Sequence, residues 1–281
     1  MSRPFKVVDV FAETKLAGNP LAVVFDAEGL DTDAMQRIAR WLNLSETVFL
    51  LPPTDPGADY RARIFTLNRE LPFAGHPTIG ACHGWLEAGG RPATVGRVVQ
   101  ECGAGLVPLR RGDGFNAFAA PPILRGGVVD EALLAEIAAV LGLPRAAIVD
   151  AAWVDNGPGW VGVLLASAEA VLALEPARDH PTRLDIGIAG PHRAGATPAW
   201  EVRAIFSDQY GVLREDPVTG SLNASLAQWL LGSGRATAPY IAAQGARVGS
   251  AGRIHVSQDE AGQVWVGGHA RTVVSGVIDL G

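Results

Sequence analysis

The sequence predicts an α+β fold built from two pseudo-symmetric halves, each a mostly antiparallel sheet curled around one central helix. Three observations lead to this prediction. A turn rich in Pro and Gly runs into an apolar helix near residue 72, and again near residue 217. Short strand-like segments separated by glycines surround both copies. The order of strand-rich segment, helix and strand-rich segment therefore occurs twice, which is typical of α+β domains.

The two copies of the turn and helix run over Glu70–Leu86 and Glu215–Leu231. They align at an offset of 145 residues, from 217 − 72. The alignment pairs Pro72 with Pro217, Gly75 with Gly220, and His76 with Ser221. A helix that is apolar on all sides is usually buried. We therefore predict that each helix forms the core of one half and presents its N-terminus at an open end of the sheet.

The predicted N-terminal half covers residues 1–127, and the predicted C-terminal half covers residues 128–269. The last strand, at residues 270–281, can return to the N-terminal half. The first half is predicted to contain strands at Val7–Val10, Leu21–Phe25, Thr47–Leu51, Tyr60–Leu67, Val95–Glu101, Gly105–Leu109 and Phe115–Ala119. The remaining predicted strands are Ala147–Val149, Gly159–Leu165, Trp200–Phe206, Arg253–Ser257, Gln263–Val266 and Val273–Asp279. Asp31 and Asp130 are candidate N-caps of two further helices.

Composition excludes several classes of partner. The formal net charge of the 281 residues is −6 and the pI is near 5.5, so nothing offsets repulsion from nucleic acid or an anionic membrane. No apolar run approaches the roughly 18 residues of a membrane span, and the charged N-terminus lacks a signal-peptide core. Cys82 and Cys102 are expected to be free thiols. These features predict a soluble cytoplasmic protein.

The two helix N-termini are candidate anion sites. A helix N-terminus offers unpaired N–H groups and the positive end of the helix dipole. Gly75 and Gly220 lack a Cβ, so a ligand can approach the backbone closely there. We expect a small anionic substrate to bind at these turns. The alternative is that Gly and Pro only start two helices.

Three titratable residues are candidates for proton chemistry. His76 lies at the first helix N-terminus, where the dipole lowers the pKa and favours a neutral imidazole. Glu46 lies at the mouth of a predicted strand, and Asp216 precedes Pro217, which restricts its backbone. A carboxyl in an apolar cleft has a raised pKa and can act as a general acid and base. The alternatives are a structural histidine and two solvated surface carboxylates.

A metal site is not predicted. His76 and His83 share a helix face, but about 10 Å separates them along the axis at ~1.5 Å per residue. One ion cannot join them, even with Cys82 beside His83.

Five segments resemble the PhzF family of phenazine-biosynthesis isomerases. They are Asp9–Phe11, Gly18–Val24, Ser45–Phe49, Leu71–Gly80 and Glu215–Ser221. The resemblance spans nearly the whole chain, and the last two motifs together are highly specific. It implies a diaminopimelate-epimerase-like fold with the active site between two pseudo-symmetric halves. It also implies a homodimer and a reaction without a cofactor.

The resemblance also implies roles for individual residues. Glu46 matches the general acid/base, which moves a proton between carbons of a conjugated cyclic acid, dihydro-hydroxyanthranilate. His76 and Asp216 match residues that orient the substrate or assist proton transfer. The residues expected to bind substrate are Gly75, His76, Pro77, Thr78, Thr219, Gly220 and Ser221.

Two other functions stay open at this stage. The chain can be a binding protein for small acids whose cleft is catalytically silent, or a racemase or epimerase. The related racemases place one thiol in each half as a pair of bases. Those positions are Ala74 and Thr219 in this sequence, and neither side chain can serve as a base.

Overall fold

A computed structural model describes residues 2–112, 114–208 and 210–280 of the chain. The first nine strands are β1 Ser2–Val10, β2 Asn19–Val24, β3 Glu46–Leu51, β4 Tyr60–Phe65, β5 Glu70–Leu71, β6 Arg97–Cys102, β7 Gly105–Gly112, β8 Phe115–Ala119 and β9 Arg125–Val128. The next nine are β10 Asp150–Asp155, β11 Trp160–Leu164, β12 Asp185–Pro191, β13 Trp200–Ser207, β14 Leu213–Asp216, β15 Tyr240–Gln244, β16 Gly252–Gln258, β17 Val264–Gly268 and β18 Ala270–Asp279. The helices are α1 Thr32–Leu42, α2 Gly75–Glu87, α3 Glu131–Val140, α4 Ala168–Leu172 and α5 Gly220–Gly232.

The chain divides into two compact units. The first unit consists of Met1–Ala119 together with Gly267–Gly281, and the second of Ala120–Val266. Strand β18 therefore belongs to the first unit, where it pairs antiparallel with β1. Strand β9 pairs antiparallel with β10 in the second unit.

The two units repeat the same strand order. In the first unit β2 is parallel to β3, β3 is antiparallel to β4, and β4 is parallel to β6. In the second unit β11 is parallel to β12, β12 is antiparallel to β13, and β13 is parallel to β15. Both units therefore contain a mixed sheet with the same series of parallel and antiparallel strand pairs. This repeat confirms the pseudo-symmetric α+β fold.

One central helix follows β5 in the first unit and β14 in the second. Helices α2 and α5 begin and end at positions that differ by 145 residues (220 − 75 and 232 − 87), the predicted offset. Residues 75–82 of α2 and 222–227 of α5 are all buried. The prediction of two buried central helices is confirmed. Within the described residues, none of the helices is long and apolar enough to cross a membrane.

The smaller helices have their predicted caps. The Asp31 side chain accepts a hydrogen bond from the Ala34 backbone N–H at 2.7 Å at the start of α1. The Asp130 side chain accepts from the Leu133 N–H at 2.9 Å at the start of α3. Such a cap satisfies one of the N–H groups that a helix N-terminus leaves unpaired.

The strand predicted at Ala147–Val149 is wrong. Residues Arg145–Ala147 form a 3-10 turn after Pro144, and the strand begins only at Asp150. Strand β12 was not predicted, because its two interior glycines hide the strand pattern. A Cβ on Gly187 would lie 2.1 Å from Leu222 Cδ1 of α5, so the close approach of the central helix requires glycine there.

Two glycines after β15 allow a test of how the second turn is supported. Gly245 and Gly249 both have left-handed φ angles, +97° and +80°. A Cβ on Gly245 would lie 2.4 Å from the Pro217 carbonyl oxygen, whereas a Cβ on Gly249 would have no atom within 4 Å. We expect Gly249→Ala to cost about 1–2 kcal/mol from the left-handed backbone alone. Gly245→Ala should cost a further ~1–3 kcal/mol, because the added methyl group pushes on the turn before α5.

Urea unfolding of both variants measures this difference. Because both substitutions carry the same kind of backbone strain, Gly249→Ala is the matched control for Gly245→Ala. Equal stability of the two variants would contradict the close packing of Gly245 against Pro217.

Candidate active site

The structure brings Glu46 and His76 together. Glu46 is the first residue of β3, opposite Leu21 of β2, and His76 is the second residue of α2. The Nδ1 atom of His76 lies 3.3 Å from the Oε2 atom of Glu46. The His76 side chain is 4% exposed, and that of Glu46 is 18% exposed. Two predicted site residues, thirty positions apart in the chain, therefore form a carboxylate–imidazole pair that solvent can reach from the side of Glu46.

Burial determines the charge of His76. Loss of solvation lowers the pKa of His76 to about 3, and a hydrogen bond with the Pro20 backbone opposes the shift. The imidazole is therefore neutral at physiological pH, as predicted, but burial rather than the helix dipole is the main cause. Its Nε2 atom is buried and has no hydrogen-bond partner among the described residues. A neutral imidazole with one unsatisfied nitrogen can donate or accept a hydrogen bond from a ligand.

A buried glutamine supports the turn before α2. Gln100 of β6 donates from Nε2 to the Thr78 hydroxyl at 3.0 Å, and its Oε1 accepts from the Tyr60 hydroxyl at 3.0 Å. The Thr78 hydroxyl in turn donates to the Ala74 carbonyl at 2.8 Å. Thr78 is fully buried, so its side chain stabilises the turn from inside the unit.

A second buried glutamine supports the turn before α5. Gln244 of β15 donates from Nε2 to the Thr219 hydroxyl at 3.0 Å, and its Oε1 accepts from the Thr219 backbone N–H at 3.1 Å. The Thr219 hydroxyl donates to Asp216 Oδ2 at 2.6 Å. Asn223 completes the network through a 2.7 Å bond to Gln244 Oε1. Gln244 therefore fixes the position of the Thr219 hydroxyl, and this hydroxyl orients the Asp216 carboxylate.

Ser221 is held from the neighbouring strands. Its hydroxyl accepts from Trp160 Nε1 at 3.3 Å, and its carbonyl accepts from Asn156 Nδ2 at 2.8 Å. The residue is half-buried. Because the hydroxyl accepts from Trp160, its own proton can point toward a ligand.

Both central helices lack a side-chain cap. The N-cap residues are Ala74 for α2 and Thr219 for α5, and neither side chain hydrogen-bonds to its helix. The first hydrogen bonds within the helices come from the N–H groups of Thr78 and Asn223. The earlier N–H groups, at Gly75 and His76 in α2 and from Gly220 in α5, have no partner within their helix. Pro77 has no N–H, so α2 leaves fewer such donors than α5.

Sequence reasoning missed Asp185. It pairs with Trp160 at the start of the parallel β11–β12 ladder, the place that Glu46 takes in β2–β3. Its buried side chain accepts a hydrogen bond from Arg183 Nε at 2.9 Å. Asp185 is 139 residues after Glu46, not 145, so the sequence alignment of the two turns does not pair them. Only the sheet register shows the equivalence.

Neither cysteine is suited to be a base. Cys82 is buried in α2, and burial raises the pKa of its thiol to about 12. Burial also raises the pKa of Cys102. Both are free thiols, as predicted. Among the described residues, no group of three or more His, Cys, Asp and Glu side chains could hold a metal ion.

Comparison with known proteins identifies a matching family and several similar proteins. The profile of the phenazine biosynthesis-like protein family, PhzC-PhzF, matches residues 8–276. The chain is 36% identical to antisense-enhancing sequence 1 of Schizosaccharomyces pombe, over 97% of each chain. It is 37% identical to the trans-2,3-dihydro-3-hydroxyanthranilate isomerase of Pseudomonas aeruginosa, over 92% of this chain and 91% of that one.

The solved structures agree with this comparison. A predicted epimerase from Pseudomonas aeruginosa superimposes with a TM-score of 0.80 at 28% identity, over 99% of this chain and all of the other. The predicted family resemblance, the diaminopimelate-epimerase-like fold and the isomerase class are confirmed. The chain belongs to the phenazine biosynthesis-like PhzF family and is an isomerase by class.

Proposed function

We propose that this isomerase works without a cofactor and moves a proton within a small substrate that carries a carboxylate. The observation that carries the proposal is the pair formed by the Glu46 carboxylate and the buried, neutral imidazole of His76. A carboxylate that is partly open to solvent can take a proton from a bound molecule and return it elsewhere. The likeness to the family over nearly the whole chain supports the same reaction class.

The proposed reaction conserves all atoms of the substrate. Glu46 accepts a proton from one carbon as that C–H bond breaks. The electron pair shifts along the conjugated system of the substrate, and a new C–H bond forms at a second carbon when the proton is returned. His76, through Nε2, orients the substrate or relays the proton. Asp216, oriented by Thr219, has the same kind of role.

The anionic part of the substrate is assigned to the helix N-termini. The Ser221 hydroxyl and the N–H groups that follow Gly75 and Gly220 are the proposed donors. Unpaired N–H groups and the helix dipole stabilise a carboxylate there without Lys or Arg. Pro77, Thr78 and Thr219 are proposed to shape the turns that present these donors.

The relative from Pseudomonas aeruginosa suggests the first substrate to try. It is named as an isomerase of trans-2,3-dihydro-3-hydroxyanthranilate, and the chain covers 91% of its length at 37% identity. A conjugated cyclic acid of this kind fits a site with one acid/base and a set of anion donors. We propose this chemical class for the substrate.

Two alternatives make different predictions. A binding protein for small acids, with a silent site, would hold the same ligands without exchanging their protons. The second alternative is a racemase or epimerase, and the structural likeness to a predicted epimerase supports it. Racemisation by two thiols is disfavoured, because Ala74 and Thr219 stand at the thiol positions and Cys82 is buried in a helix.

Replacing the proposed acid/base tests the proposal. Glu46→Gln should lower the rate of isomerisation of trans-2,3-dihydro-3-hydroxyanthranilate by about 10²–10⁴-fold, the usual contribution of general acid–base catalysis. The amide keeps the size of the side chain but cannot take up a proton. The assay follows the product in D₂O by NMR and mass spectrometry. Glu28→Gln, an exposed glutamate in the same unit, is the matched control and should keep the wild-type rate.

The isotope pattern separates the proposed function from both alternatives. A proton-transferring isomerase places solvent deuterium at a carbon of the product, and a binding protein places none. An epimerase would scramble a stereocentre without moving a double bond. Turnover by Glu46→Gln at the wild-type rate would show that Glu46 is not the acid/base.

The buried imidazole also predicts a pH dependence of stability. The pKa of His76 is about 3 in the folded protein, against about 6.5 in an unfolded chain. Between these values the unfolded state binds more protons, so stability falls as the pH drops from 6.5 toward 3. In His76→Gln the free energy of unfolding should therefore decrease less steeply over this range. Urea unfolding of both proteins between pH 7 and pH 4 measures the slopes, and equal slopes would contradict a buried neutral His76.

A further inference from the structure

A polar groove lies at the C-terminal end of α2, at the opposite end of the helix from His76. It has a volume of about 510 Å³. Its lining residues, which define the α2 groove, are His83, Leu86 and Glu87 of α2 and Arg111, Gly112, Gly114, Phe115 and Asn116 of the β7–β8 hairpin. From His76 to Glu87 the helix advances about 16 Å at ~1.5 Å per residue. The groove is therefore separate from the candidate active site.

The second unit contains an equivalent groove. It has a volume of about 350 Å³ at the C-terminal end of α5. Its lining residues, which define the α5 groove, are Ala120, Pro122, Gln228, Leu231, Gly232, Gln258, Gly262, Gln263 and Val264. The offset of 145 residues pairs His83 with Gln228, Leu86 with Leu231, and Glu87 with Gly232. The repeated fold therefore forms a groove at the same place in each unit.

The two grooves differ in charge. Arg111, His83 and Glu87 line the α2 groove, whereas none of the described lining residues of the α5 groove is charged. The second unit keeps the same strand order with neutral side chains at these places, so the charges are not a requirement of the fold. This difference indicates that the α2 groove has a role of its own.

The negative charge of Glu87 in the α2 groove is already compensated. Lys6 donates a hydrogen bond to the Glu87 carboxylate, and the Thr272 hydroxyl donates to it at 2.6 Å. These two bonds hold the pKa of Glu87 below its usual value. Thr272 also lies 3.1 Å from His83 Nε2. The four side chains form one connected polar network, of which His83 and Glu87 line the groove.

The positive charge of Arg111 is not compensated in this way. Its side chain is exposed, and it takes part in none of the ion pairs found between the described residues. Burial lowers the pKa of His83; the charge of Glu87 opposes this shift, and the charges of Lys6 and Arg271 add to it. His83 therefore acts as a neutral hydrogen-bonding group. Among the described lining residues, Arg111 is therefore the charged side chain with which a ligand anion can pair.

We propose that the α2 groove binds a small molecule that carries a carboxylate or phosphate group. Arg111 anchors the anion through its planar guanidinium, which matches both groups with paired N–H donors. His83 and the buried Asn116 supply polar contacts, and the ring of Phe115 supplies an apolar wall. The volume lies within the range of small-molecule sites, about 300–1,000 Å³. This proposal does not depend on the reaction at Glu46.

Titration calorimetry with two probes tests the proposal. Inorganic phosphate and benzoate are titrated separately into the intact protein, so that the two possible sources of the anion are distinguished. We expect saturable binding of at least one probe in the millimolar range. Arg111→Gln should weaken that binding about tenfold or more, because a charge-assisted pair is lost. His83→Gln introduces the residue that the second unit carries at this place, and it should also weaken binding.

Two controls separate the groove from other anion sites. Arg110 is the preceding residue of β7 and points to the opposite face of the strand, so Arg110→Gln should keep the affinity within about twofold. Ser221→Ala alters the N-terminus of α5 and should leave binding at the α2 groove unchanged.

Three results would overturn the proposal. The first is the absence of saturable binding of both probes up to tens of millimolar. The second is equal affinity of the wild type and Arg111→Gln, with both proteins folded by thermal unfolding. The third is a change of oligomeric state in Arg111→Gln with no change in anion binding, which would assign the groove to a subunit interface.

Discussion

The two central helices are buried along most of their length, yet no side chain caps either N-terminus. In contrast, α1, α3 and α4 are capped by Asp31, Asp130 and Ser167. A buried helix end with unpaired N–H groups is costly unless a ligand or water satisfies them. The rest of each unit is arranged around this constraint. Gln100 and Gln244, each fully or nearly fully buried, support the two turns from behind and leave the helix ends open in front.

The same burial sets the chemistry at His76. Because the imidazole is enclosed where α2 begins, it loses solvation and stays neutral, while Glu46 at the end of β3 keeps contact with solvent. A neutral imidazole beside a reachable carboxylate can share or relay a proton without adding a buried charge. In the second unit the corresponding place in the sheet holds Asp185, which Arg183 binds. The two units thus share a fold and differ in the acidic residue that stands at this place in the sheet.

Much of this arrangement was predictable from the sequence. The repeat at 145 residues identified both central helices, and the caps Asp31 and Asp130 identified α1 and α3. The resemblance to a family supplied Glu46, since its spacing alone did not distinguish it from a surface carboxylate. Contacts between distant segments were not predictable. Gln100 stands in a strand that the sequence predicted and Gln244 in one that it did not. Their shared role follows only from the parallel pairing of β6 and β15 with earlier strands.

The glycine-rich strand β12 was also not predicted from the sequence. Strand β12 carries glycines where α5 and α4 approach its backbone, so the packing that requires the strand also removes its sequence signal. The equivalence of Glu46 and Asp185 was hidden for a related reason, because insertions change the offset between the units away from the two turns.

We propose that the uncapped ends of α2 and α5 bind the anionic part of a ligand. Backbone ¹⁵N–¹H NMR during a titration with a small carboxylate tests it most directly. We expect saturable shifts of the Gly75, Gly220 and Ser221 amides. The amides of Ala34 and Leu133, which Asp31 and Asp130 already cap, should not move. Shifts of equal size at capped and uncapped helices, or no shift at Gly75 and Gly220, would contradict it.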